Sequence, residues 1–168
     1  VLISGRGSNL QALITACAES EFPAEIVLVI SNKPDAKGLE HATAAGIPTE
    51  VVEHGDYADR ESFDREVDAR LRSAGVELVC LAGFMRILST WFTQTWHDRV
   101  INIHPSLLPA FKGIDAHAQA LAAGVRMSGC TVLNWDWWSC QMGFKSQQNR
   151  NMPWRQGLRR NWMMRDHM

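Results

Sequence analysis

Through its first 132 residues the chain alternates short, continuously apolar runs with segments of helical spacing, an order that few architectures accept. VLIS, EIVLVIS, TEVVE, VELVCLAGF and RVINIH read as strands, and VELVCLAGF is apolar throughout, as a strand covered on both faces should be. The first helical segment, LQALITACAES, places Leu10, Leu13, Ile14 and Cys17 on one face, and Asn9 stands where a cap would be. A second helix follows Asp35 and ends before Gly46; a longer one runs from about Arg60 to Ser73 with Phe63, Val67 and Leu71 inward. WFTQTW and AHAQALAAG complete the set, the last stopping at Gly124. This order predicts an α/β fold: a doubly wound, mostly parallel sheet of Rossmann type with helices on both faces. Binding groups then belong at the carboxyl ends of the strands.

Composition narrows the function classes. The 168 residues suit one domain, and a formal net charge of -1 carries no whole-chain signal for nucleic acid. No run approaches the roughly 18 apolar residues of a membrane span, and the apolar start lacks the basic flank and cleavage site of a signal peptide. The expectation is a cytoplasmic protein with neither a membrane nor a nucleic-acid partner. Cys17, Cys80, Cys130 and Cys140 form no CxxC pair, so neither a metal site nor a disulfide framework is expected. The first three read as small apolar residues in buried elements.

The average hides a break after Val132. Residues 1–132 carry 11 basic and 16 acidic side chains, residues 133–168 six and two. The tail holds five of seven tryptophans and five of seven methionines, and no Ala, Val, Ile, Thr or Glu, the residues that build helices and strands. Interleaved arginines and aromatics could serve RNA or a membrane. Loss of every periodic signal at one point fits better with a shifted reading frame or mis-joined exon. The expected organisation is therefore a domain over 1–132 and an aberrant, disordered tail over 133–168. Because Val1 opens with a strand under way, truncation at both ends is expected.

Three loops at strand ends carry the chemistry. SGRGSN follows the first strand, AGFMRIL the fourth, and NIHPSLLP finishes the fifth. Two glycines and a serine ahead of a helix can aim backbone N–H groups and a hydroxyl at an anion. A dinucleotide fingerprint fits poorly, since the third glycine is absent and the second strand ends in Ser31-Asn32 rather than an acid. A plain capped turn is the competing reading. Asn102 and His104 lie two apart on a strand and so share a face. An Asn amide can donate to an oxyanion and a histidine can move a proton near neutral pH. With no Ser or Cys nucleophile nearby, the pair suggests direct attack by a substrate amine on an acyl carbon. A structural histidine before a proline turn is the alternative. His41, His54, His97, His117 and His167 are scattered and read as surface or structural.

Together, VLISGRGSNLQALI, VISNK, GLEHATAAGIPT, VCLAGFMRILS, INIHPSLLPAFKGIDAHAQAL and SGCTV resemble the phosphoribosylglycinamide formyltransferases, the folate-dependent enzymes of purine (IMP) synthesis. The related methionyl-tRNA formyltransferases and formyltetrahydrofolate hydrolases share the HPSLLP idea, but the SGxGSNLQAL opening favours the glycinamide enzymes. The resemblance implies the formyltransferase-like fold. It assigns Gly7, Ser8 and Asn9 to the phosphate of glycinamide ribonucleotide. Asn102 and His104 become the catalytic pair, and Arg60, Met85, Arg86, Ile87 and Leu88 face the folate. 10-Formyltetrahydrofolate is implied as cosubstrate, with no tightly bound cofactor and no metal. The parent polypeptide is either this domain alone or part of a larger multifunctional purine enzyme.

After SGCTV the family pattern continues with a histidine-bearing strand, a loop with a catalytic aspartate before a glycine, and a long helix. Here Leu133 follows instead, and Asp136 in NWDWW stands too early for that role. An aspartate that orients a catalytic histidine can be worth on the order of 10⁴ in rate. The chain is therefore expected to be weakly active or a non-catalytic folate- or nucleotide-binding fragment. Reading the coding DNA in all frames across Thr131 to Leu133 is expected to restore a strand, an aspartate before a glycine and a helical C-terminus; three frames without them would make the tail genuine.

Overall fold

The computed structural model describes residues 1–113 and 115–134; the expectations for the rest of the tail, Asp136 and Cys140 included, lie outside the described residues. Five parallel strands, β1 (Leu2–Ile3), β2 (Val29–Ser31), β3 (Thr49–Val51), β4 (Val79–Leu81) and β5 (Val100–His104), share a sheet with antiparallel β6 (Thr131–Asn134). Their order is β3-β2-β1-β4-β5-β6. The chain works outward from β1 in one direction, then returns to its other side through β4. Two strands that diverge in this way leave a crevice between their carboxyl ends.

Alternation along the strands divides the core in two. Leu2, Ile30, Val79, Leu81 and Val100 pack with Phe63, Val67 and Leu71 of α3 (Arg60–Ser73), Phe92 of α4 (Thr90–Thr95) and Trp96. Ile3 and Val29 face the other way, against Leu10 of α1 (Ser8–Cys17) and Ala42 of α2 (Gly38–Ala44). The expected helices on both faces are present, and α5 (Ala116–Ala122) precedes β6. Among the described residues no helix is long and apolar enough to cross a membrane.

Polar contacts fix the helices that flank the site. α3 starts at a reciprocal cap in which the Ser62 N–H donates to the Asp59 carboxylate at 2.7 Å and the Asp59 N–H to the Ser62 hydroxyl at 3.3 Å. These contacts hold the Asp59 carboxyl below its ordinary pKa, the Ser62 N–H foremost. The fully buried Trp96 donates from Nε1 to Asp68 at 2.8 Å, tying the end of α4 to α3. Arg72 donates to the same carboxylate, and the Arg99 guanidinium lies 4.6 Å from the Trp96 ring centre.

Some sequence expectations change. The strands are shorter than their apolar runs: EIVLVIS ladders only over Val29–Ser31, and Leu78 of VELVCLAGF is 44% exposed. Cys130 is exposed and Cys17 and Cys80 half-buried, so the first of these is no core residue. β6 runs two residues past the compositional break, which places the backbone of Leu133 and Asn134 in the sheet rather than in a disordered tail.

Asn9 does not cap α1. Gly7 occupies that position with φ 78°, no side chain caps the helix, and the first helical residue is Ser8. Tertiary packing explains the exchange. A Cβ on Gly7 would come within 2.4 Å of the Gly38 Cα, so the starts of α1 and α2 touch backbone to backbone. The Gly38 N–H donates to the Gly5 carbonyl at 3.0 Å across the same contact. Gly7→Ala should cost about 1–2 kcal/mol for the left-handed backbone alone, and the clash adds to it. Urea denaturation checks this; an unchanged midpoint would mean that the two helices part freely.

Candidate functional site

The three loops singled out in the sequence leave β1, β4 and β5, which are neighbours in the sheet. With strands about 4.8 Å apart, their carboxyl ends fall within about 10 Å. α3 runs antiparallel to the strands as a crossover helix must, so Arg60, its first residue, stands at the same edge.

After β1 the chain passes from the buried Ser4 through Gly5 and Arg6 to Gly7, where α1 begins. Ser8 is exposed and Asn9 half-buried. With no side chain capping the helix, the first-turn amides of α1 are left to an outside acceptor.

After β4, Met85 and Ile87 are 71% and 60% exposed, Arg86 is half-buried, and the Leu88 side chain is packed in the core. Leu88 can thus meet a ligand only through its backbone. The segment ends at Ser89, whose hydroxyl accepts from the Phe92 N–H at 3.2 Å to cap α4. Neither Arg60 nor Arg86 has an ion-pair partner among the described residues.

On β5 the paired positions Leu81 and Asn102 lie side by side, and Val100, Asn102 and His104 share the sheet face covered by α3 and α4. Asn102 is half-buried and makes no side-chain hydrogen bond among the described residues. His104 is buried, with Nε2 3.1 Å from the Phe111 carbonyl oxygen. A carbonyl only accepts, so that contact puts a proton on Nε2.

The loop behind His104 is pinned by hydroxyls. The Ser106 hydroxyl donates to the Ala110 carbonyl at 2.7 Å, and Thr131 of β6 donates to the Ser106 carbonyl at 2.6 Å while accepting from the Leu108 N–H at 3.0 Å. Within this turn the Leu108–Pro109 bond is cis and Phe111 takes φ 53°, a left-handed conformation that a bulky residue adopts only when its surroundings demand it. Among the described residues no three His, Cys, Asp or Glu side chains cluster as a metal site would require.

Sequence reasoning missed the contact that joins the first two loops. The Ser4 hydroxyl donates to the Asn32 side-chain oxygen at 2.5 Å and accepts from the Met85 N–H at 2.7 Å. The Asn32 amide reaches Nδ1 of His54 at 3.3 Å, so the ends of β1, β2 and β4 and the turn after β3 share one network. The available signal was a polar residue directly after each of two buried strands.

Known proteins share this fold. A family profile described as formyl transferase matches residues 1–136, most of the chain. The chain belongs to the formyl transferase family. It is 56% identical over 132 residues to the trifunctional purine biosynthetic protein adenosine-3 of Gallus gallus, covering 79% of this chain and 13% of that protein. The phosphoribosylglycinamide formyltransferase of Bacillus subtilis is 43% identical over 132 residues, 79% of this chain and 68% of that one. Among solved structures, glycinamide ribonucleotide transformylase 1 from Symbiobacterium toebii superposes with a TM-score of 0.77 at 46% identity, covering 79% of this chain and 63% of that chain. The formyl transferase chain thus spans a small part of the trifunctional relatives and about two thirds of the bacterial ones.

Ser4→Ala removes an acceptor from the Met85 N–H and a donor from Asn32 at a buried site. The expected cost is about 1–3 kcal/mol, with faster hydrogen exchange at Met85 than in the unsubstituted chain. Unaltered exchange there would show that the loop is held by other contacts.

Proposed function

We propose that this domain transfers the formyl group of 10-formyltetrahydrofolate to the amine of glycinamide ribonucleotide in purine (IMP) synthesis, as a cytoplasmic one-carbon transferase. The single observation that carries the reading is the convergence of an uncapped α1 start, the Met85–Leu88 segment and the Asn102–His104 pair at one sheet edge. The Bacillus subtilis and Symbiobacterium toebii relatives bear names that specify formyl transfer to glycinamide ribonucleotide.

In this reading Gly7, Ser8 and Asn9 bind the ribose phosphate through the first-turn amides of α1. Met85 and Ile87 offer apolar side chains to the pterin, and Leu88 offers its backbone. Arg60 and Arg86 meet the carboxylates or polar edge of the folate. The substrate nitrogen attacks the formyl carbon, forming a C–N bond and a tetrahedral oxyanion. The Asn102 amide donates to that oxyanion. Collapse breaks the bond to N10 of the folate, and the proton lost by the attacking amine ends on N10, with His104 assisting the transfer. The folate leaves as tetrahydrofolate, so it is a cosubstrate.

The formyltransferase domain in this reading is residues 1–132, with residues 133–168 a separate tail segment. Without the family's aspartate, which orients the catalytic histidine and stabilises its cation, turnover is slow. A parent polypeptide of the trifunctional kind is the reading that the 56% identity to the Gallus gallus protein supports.

The test is release of tetrahydrofolate from 10-formyltetrahydrofolate in the presence of glycinamide ribonucleotide. Slow transfer is expected, falling a further ~10²-fold or more in Asn102→Ala and His104→Ala. Transfer that both substitutions leave unchanged would place the chemistry elsewhere. Thermal shifts with both ligands but no product would favour a non-catalytic binding fragment.

A further inference from the structure

On α3, one turn after Arg60, Asp64 is 1% exposed, and its two carboxylate oxygens have unequal surroundings. Oδ2 accepts from the Ser89 N–H at 2.5 Å, where the Met85–Leu88 segment turns into α4. Oδ1 is buried and has no hydrogen-bond partner among the described residues. A stranded buried carboxylate oxygen is costly, and an apolar or amide side chain would fill this helix position at lower cost. Such groups persist where something other than stability requires them.

The placement supplies a reason. Arg60 and Asp64, at i and i+4, share a face of α3, and Arg86 lies three residues before Ser89. Asp64 therefore lies within electrostatic reach of both guanidinium groups, and through Ser89 it grips the backbone between the Met85–Leu88 segment and α4. We infer that Asp64 is a positioning residue for the folate site, its buried negative charge holding Arg86 and the Met85–Leu88 backbone in the geometry that receives the cosubstrate. This inference rests on the folate reading of that segment.

Burial and the neighbouring charges act on this carboxylate in opposite directions. Burial pushes the Asp64 carboxyl above its ordinary pKa, while the hydrogen bond from Ser89 and the charges of Arg60 and Arg86 pull it back. A carboxyl whose folded pKa is raised loses stability as pH climbs from its unfolded to its folded value. At neutral pH the charged group is therefore a net burden on the fold, and Asp64→Asn, which keeps an acceptor for Ser89, should raise the melting temperature or leave it unchanged.

The deciding measurement is calorimetric titration of the full chain with tetrahydrofolate and, separately, with glycinamide ribonucleotide. In Asp64→Asn the tetrahydrofolate Kd should rise about 5- to 10-fold, with glycinamide ribonucleotide affinity unaltered. In an Arg86→Met background the same substitution should add little, because Asp64 acts through Arg86. Asp64→Ala, which also strands the Ser89 N–H, should lower the melting temperature as well. Equal tetrahydrofolate affinity in the unsubstituted and Asp64→Asn chains overturns the inference alone. So does a parallel loss for both ligands with a lower melting temperature, the mark of a merely structural residue. If the unsubstituted chain fails to bind tetrahydrofolate, the folate reading falls and the role of Asp64 falls with it.

Discussion

Leu2 pairs with Ile30 on one side and Leu81 on the other, and everything at the carboxyl edge of the sheet inherits that arrangement. With only two laddered residues, β1 has its side chains divided between the two cores, Leu2 toward α3 and α4 and Ile3 toward α1 and α2. A strand so short has no spare register: a slip of one residue would exchange its two faces and push Ser4 into one core. Ser4 instead emerges at the point where β1 and β4 part, and its hydroxyl spans the gap that the divergence opens.

The two proposed ligand loops are therefore mechanically joined rather than merely adjacent. Gly7 is locked against Gly38 by backbone contact, and Met85 is locked to Ser4 by a buried hydrogen bond. A displacement of either loop is felt by the other over four residues of chain. Preorganisation of this kind lowers the ordering cost when ligands bind, which suits a reaction that must bring an amine and a formyl carbon to near contact. His104 is treated similarly, through the Phe111 carbonyl and the hydroxyls of Ser106 and Thr131.

How much of this the sequence disclosed depended on the range of the interaction responsible. The bounds of α3 were readable because their causes are local: Phe63, Val67 and Leu71 recur at helical spacing, and Gly75 follows the last turn with φ 67°. The Asn102–His104 pair was readable because strand alternation alone puts the two on one face. Gly7 as the start of α1 was not, because its reason is Gly38, 31 positions away. β6 was missed because its partner strand ends 27 positions earlier and its own residues straddle the compositional break. Asp64 looked like one more charge on a highly charged helix. Only the packing of Ser89 against it shows that the buried face of α3 includes two aspartates, Asp64 and Asp68, beside the apolar residues.

Those two aspartates show how one helix can serve stability and function by different means. Asp68 has acceptors occupied on both sides, by Trp96 and by Arg72, and its charge is balanced by a guanidinium in contact. Asp64, one turn earlier and nearer the carboxyl edge, has one oxygen satisfied and one without a hydrogen-bond partner among the described residues. Burial of a partnered carboxylate further along α3 clamps the end of α4 to that helix. Burial of a half-partnered one at the near end makes sense only if the missing interaction is electrostatic and directed outward, toward arginines that have no ion-pair partner among the described residues. The fold thus places its unspent charge where a ligand can use it, at the edge that the divergence of β1 and β4 leaves open.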